Sequence, residues 1–121
     1  MARRSQRGQA AVELALALPL LVFWLLAMVQ VVLIARDQLA VVHAAREAAR
    51  AAAVSASPGA AAAAAAQAAV HIGPLQTQTA TGTNVSVSVS ARSRTDVPLI
   101  GVLLPDITVR GRATMRWEPS G

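Results

Sequence analysis

Glu13-Leu-Ala-Leu-Ala-Leu-Pro-Leu-Leu-Val-Phe-Trp-Leu-Leu-Ala-Met-Val-Gln-Val-Val-Leu-Ile-Ala-Arg36 is the stretch on which the fold turns. Between its two charged ends lie 22 residues whose only polar side chain is Gln30. A helix of that length rises about 33 Å, and the hydrocarbon core of a bilayer is about 30 Å thick, so the segment predicts one membrane-spanning helix with slight tilt. Pro19 is compatible with this, because prolines are tolerated in membrane helices and can kink them. A buried helix in a soluble core is the competing reading. The flanking residues are too few to enclose so apolar a helix on every side.

The rest of the chain sets the scale of what can follow. The protein has 121 residues; 55% are hydrophobic, 14% charged, and 28 are alanine. It has no Cys, which excludes a disulfide scaffold, a Cys-ligated metal or cluster, and a thiol nucleophile. Beyond the span about 85 residues remain, Asp37 to Gly121, with Trp117 as their one aromatic. A domain that small is marginal alone, so it draws stability from a helix shared with the membrane segment or from neighbouring subunits. No Walker loop, dinucleotide loop or nucleophile elbow appears. The acids Asp37, Glu47, Asp96, Asp106 and Glu118 are isolated, so the chain is not expected to be an enzyme. His43 and Glu47 stand four apart on a helix, but two ligands do not make a zinc site, and no cofactor is implied.

The basic balance is local. The net charge of +5 comes from 11 arginines against 6 acids, and removal of residues 1–8 takes away Arg3, Arg4 and Arg7. These three precede the span, whereas Arg36 behind it is offset by Asp37. The positive-inside bias therefore places the N-terminus in the cytoplasm and the C-terminal part outside. No aromatics interleave with the arginines, so nucleic acid is not the expected partner. A conventional signal peptide is disfavoured too, since the apolar run is about twice the usual length and Glu13 sits at its entrance.

The entrance itself, Arg7-Gly8-Gln9-Ala10-Ala11-Val12-Glu13, carries a chemical pattern. If the bond after Gly8 is cut, Gln9 becomes the first residue and Glu13 the fifth. A new α-ammonium and a carboxylate at that spacing can neutralise one another within a helix turn or between staggered helices, which matters because unpaired charge at the bilayer edge is costly. The helix dipole also favours Glu13 in the first turn. The plainer reading makes Glu13 an ordinary first-turn acid at the membrane surface; it leaves the glycine, the basic leader and Pro19 unaccounted for.

Gly8-Gln9-Ala10-Ala11-Val12-Glu13 followed by Leu14-Ala15-Leu16-Ala17-Leu18-Pro19 resembles the N-terminal signature of the TadE-like proteins, pilin-like components of the Tad (tight adherence, Flp-type) pilus assembly system. The resemblance implies a type IV pilin-like α+β fold, cleavage between Gly8 and Gln9 by a membrane prepilin peptidase, and a role for Glu13 and Pro19 in recognition or subunit packing. Implied partners are that peptidase, other Tad/Flp pilins and pilin-like subunits, the Tad membrane platform proteins and the lipid bilayer. The chain is longer than a Flp major pilin and lacks the long extracytoplasmic region of larger relatives, which favours a minor, pseudopilin-type subunit. Its Ala- and Arg-rich, Lys-free composition resembles actinobacterial members. The alternative is an uncleaved single-pass anchor with an extracytoplasmic interaction domain.

The expected organisation is a leader over 1–8, a transmembrane helix over 9–36, its extracytoplasmic continuation over 37–56, an Ala-rich short helix or linker over 57–74, and a small antiparallel sheet over 75–121. One continuous helix is expected from Ala10 to Ala56, with Arg36, His43, Glu47 and Arg50 on a polar stripe. Leu39, Val42, Arg46 and Ala49 form a mostly apolar ridge with Val41, Ala45, Ala48 and Ala52 beside it. Val85, Val87, Val89 and Ala91 alternate with serines, and Ile107 to Trp117 alternates likewise, so both read as half-buried strands. Leu75 to Thr81 is a candidate third strand, with Gly82-Thr83-Asn84 as the turn. The sheet is expected to pack its apolar face on the helix near Val41 to Val54. Gly111 falls on that face, where it permits a bulge or a close approach of the helix. Arg110, Arg112 and Arg116 stand on the other face, either simply solvated or recognising acidic surfaces. Leu99, Ile100 and Leu103, in a loop bracketed by Pro98 and Pro105, are expected to cap the core or form a subunit contact.

Overall fold

The computed structural model describes residues 2–93, 103 and 106–119. A 52-residue helix, α1 (Ala2–Ala53), is followed by α2 (Pro58–Ala69) and three strands, β1 (Leu75–Thr81), β2 (Asn84–Ser93) and β3 (Ile107–Arg116). The strands form one antiparallel sheet in the order β1-β2-β3. The architecture is α+β, one long apolar N-terminal helix and a small sheet, as a type IV pilin-like fold requires. The chain divides into two units. The first takes α1 through Val32, and the second takes α1 from Leu33 together with α2 and the sheet.

α1 starts at Ala2, not at the expected Ala10. The stretch Ala-Arg-Arg-Ser-Gln-Arg before Gly8 consists mainly of good helix formers, and a single glycine costs only about 1 kcal/mol, too little to stop propagation. The helix ends at Ala53, three residues before Ala56. Ser55 N–H donates back to the Ala52 carbonyl at 3.3 Å, tightening the last turn, and Ser57 N–H turns to Ser55 Oγ at 3.0 Å. Pro58 then opens α2 at a position where its missing N–H costs nothing. Gln67 holds the exit of α2: its amide donates to the Gly73 carbonyl at 3.3 Å and accepts from Leu75 N–H at 3.4 Å. Gly73 takes φ +103°, a conformation that side-chain-bearing residues rarely adopt.

The sheet obeys the two-residue alternation. Val85, Val87, Val89 and Ala91 of β2 are buried, with Val109 and Gly111 of β3 beside them. The register sets Val89 opposite both Thr77 and Gly111, and Ala91 opposite Leu75 and Val109. Against this face lies one stripe of α1: Val41, Ala44, Ala45, Ala48, Ala49, Ala52 and Ala53, all buried, at the spacing of a single helix face. The ridge through Leu39, Val42 and Arg46 is not part of it. Leu39 is 72% exposed, because the helix turns its small residues to the sheet and its large ones away. Ala62 and Ala66 of α2, and Val70 just after its end, extend the same core.

β3 runs along α1 in the same sense and is attached at several levels. Ser93, cross-strand partner of Ile107, donates its hydroxyl to Asp37 Oδ2 at 2.6 Å. Gln38 Nε2 donates to the Arg110 carbonyl at 2.7 Å. At the far end Glu118 N–H donates to the Ala53 carbonyl at 2.9 Å, and Trp117 Nε1 to the Ser55 carbonyl at 3.4 Å. Between these points Gly111 lies so close to α1 that a Cβ there would sit 2.8 Å from the Val41 carbonyl oxygen and the Val42 Cα. The expected close approach is what Gly111 provides.

Ser93 is 3% exposed and its acceptor is a carboxylate. Ser93→Ala leaves Asp37 without that donor, and hydrogen bonds to charged groups contribute about 1.5–3 kcal/mol. A loss of that size is the expected result in a thermal or denaturant melt, and Ser93→Thr, which keeps the hydroxyl, is expected to recover part of it.

Candidate functional site

The first unit presents an apolar cylinder. Most side chains of α1 from Val12 to Val32 are exposed, Leu16 at 74% and Trp24 at 64% among them, while Leu26 and Ala27 are half-buried and Gln30 is buried. A helix that is hydrophobic on every side needs a protein interior or a lipid phase around it. This one is long and apolar enough to cross a bilayer. By length and composition the run suits a membrane anchor.

Gly8, Gln9, Glu13 and Pro19 all lie on this helix. Nothing packs within 4 Å of the position where Gly8 would carry a Cβ, so its backbone is unobstructed. Gln9 and Glu13 are four residues apart, one helical turn, and share a face about 6 Å apart along the axis. Glu13 is exposed, and among the described residues it makes no ion pair. Pro19, inside the helix, has no N–H to give to the carbonyl of Ala15. The entrance motif is therefore strung along three turns of one helix: an accessible glycine, an acid one turn beyond the next residue, and a weakened rung further on.

The family comparison covers the same stretch. Residues 8–50 match the model of a family described as TadE-like protein, so this stretch is similar to that family. The match begins at Gly8, includes Glu13, Pro19 and the apolar run, and continues to Arg50 in the second unit. No curated protein and no solved structure matches the chain.

The remaining candidates are dispersed. His43 is exposed, and Glu47 pairs instead with Arg50 at 3.6 Å, one turn on. Among the described residues no three His, Cys, Asp or Glu side chains gather where a metal could sit. Leu99 and Ile100 lie outside the described residues; Leu103 is described, and its side chain is 67% exposed. Sequence reading missed one participant on the sheet. β2 continues beyond Ala91 to Ser93, which brings Arg92 onto the same outer face as Arg110, Arg112 and Arg116. The signal was present in the uninterrupted alternation of Ala91-Arg92-Ser93.

Proposed function

We propose that this protein is a minor, pseudopilin-type structural subunit for biogenesis of a Tad/Flp pilus. The observation that carries the reading is the TadE-like match that opens at Gly8 and runs through an exposed, bilayer-length apolar helix. The arginine leader stays in the cytoplasm and the sheet lies outside, following the positive-inside bias. A prepilin peptidase hydrolyses the Gly8–Gln9 bond, leaving a carboxylate on Gly8 and an ammonium on Gln9. Since α1 is helical through this bond, the peptidase acts on a locally unwound end, and Gly8 lowers the cost of unwinding. The released helix packs among other pilins and pilin-like subunits and docks on the membrane platform proteins, with Glu13 of one subunit neutralising the new ammonium of a neighbour. Pro19 adjusts the helix for that packing, and Leu99, Ile100 and Leu103 serve as a subunit contact outside the membrane. The arginine-rich, lysine-free composition supports an actinobacterial source.

Intact mass and N-terminal peptide analysis of the protein extracted from its native membrane test this reading. A chain beginning at Gln9 is expected, and Glu13→Ala is expected to remain in the membrane while failing to enter the assembly. A chain that keeps its arginine leader, together with normal assembly of Glu13→Ala, would leave only the uncleaved single-pass anchor. The continuous helix across Gly8 is the feature that favours that second reading.

A further inference from the structure

The outer face of the sheet has an order that pilus assembly does not account for. Register places Gln76, Ser90 and Arg110 in one cross-strand row, and Gln78, Ser88 and Arg112 in the next. The two rows are chemically identical, Gln-Ser-Arg, and are offset by two residues along the strands, about 6.7 Å. Their side chains line an open groove of about 410 Å³. Arg92 and Arg116 stand on the same face beyond the two ends of this pair of rows, so the face carries four arginines. No strand residue on it is acidic; the nearest acids in sequence, Asp106 and Glu118, lie just outside β3. Among the described residues none of the four arginines has a carboxylate partner. Arg112 is steadied by its own row, its Nε donating to Ser88 Oγ at 3.0 Å.

We propose that this face binds a linear polysaccharide whose sugars carry carboxylates. Guanidinium groups form a planar fork that matches a carboxylate. Amides and hydroxyls both donate and accept, which suits sugar hydroxyls. Two identical rows in succession suit a ligand that is itself a repeat. The face has no aromatic side chain to stack bases on, which disfavours single-stranded nucleic acid. It has no large aliphatic or aromatic side chain to enter a bilayer, which disfavours a lipid surface. Every residue that the test alters is exposed, so the substitutions leave the core intact.

The test uses the full chain in nanodiscs of zwitterionic lipid, with polygalacturonate oligomers as probe and calorimetric titration as readout. Saturable binding that weakens with salt is expected. The R110Q/R112Q pair is expected to lose about tenfold in affinity or more, the effect of removing charge-assisted hydrogen bonds. Q76A/Q78A, which leaves the charge untouched, is expected to weaken binding by about threefold, a fraction of a hydrogen-bond loss each. Fully methyl-esterified polygalacturonate is expected not to bind. R46Q/R50Q, on α1 and outside the face, is expected to bind as wild type does. The proposal is overturned if wild type fails to bind, if R46Q/R50Q weakens binding as much as R110Q/R112Q, or if Q76A/Q78A has no effect. It is equally overturned if single-stranded DNA or phosphatidylglycerol vesicles bind more tightly through the same arginines.

Discussion

Gly111→Val is expected to separate the sheet from α1. The Cβ alone would meet the Val41 carbonyl oxygen and the Val42 Cα at 2.8 Å and the Val41 carbonyl carbon at 2.9 Å. These are backbone atoms of a helix, so no rotamer change relieves the clash; the helix or the strand must move. β3 cannot simply lift away, because Gln38 holds Arg110 on one side and Ala53 holds the Glu118 amide on the other. Overpacking of a tight core costs about 1–3 kcal/mol and occasionally more, and the backbone character of this contact puts the valine at the upper end. For a domain of this size, 3 kcal/mol lowers the melting temperature by roughly 12–24 °C. Calorimetry of the purified protein in detergent reads this directly. Gly82→Ala is the control, since its nearest neighbour is 4.0 Å away. An unchanged melting temperature for Gly111→Val would mean that helix and sheet are not in contact at this level.

Leu21→Arg combined with Leu25→Arg is expected to remove the protein from the membrane. Both side chains are exposed, and they lie on one face of the apolar run. A charged residue at the centre of a spanning helix costs about 2.5–3.5 kcal/mol on insertion scales, so the pair opposes insertion by roughly 5–7 kcal/mol. Carbonate extraction of cell membranes followed by immunoblotting measures the outcome. Leu39→Arg is the matched control: the side chain is as exposed as those in the run, but it stands beyond Arg36. Retention of the double variant in the membrane pellet would show that the run is not the anchor.

The order of elements was legible because each depends on local signals. Twenty-two residues without a charge can hardly be anything but a span, and the Val-Ser alternation of 85–91 has no helical reading. Pro58, Gly73 and Gly82 punctuate the chain as turn residues do. What was less legible depends on tertiary choice. Either ridge of α1 beyond Arg36 had enough apolar residues to be the inner one; the alanine stripe prevailed because only small side chains let β3 come close enough for Gly111 to touch the Val41 backbone. The helical start before Gly8 was missed because a glycine suggests a break, although the surrounding residues propagate a helix. The entrance motif was visible in outline through Gly8, Glu13 and Pro19. On the proposed function its action lies between chains, which neither one sequence nor one chain's structure displays. On the outer face of the sheet, three arginines were visible from the alternation, but the two matching Gln-Ser-Arg rows exist only once the register is known.

The alanine stripe that meets the sheet also inverts the usual tolerance of a protein interior to change. In most cores trimming a side chain is the damaging event; at Ala44, Ala45, Ala48, Ala49 and Ala52 almost nothing is left to trim. Growth is the hazard there, because a large side chain would overpack a fully buried face. A saturation library at these five sites should therefore retain glycine and serine and lose leucine, whereas at Val85, Val87 and Val89 on the opposite side the ranking should be reversed.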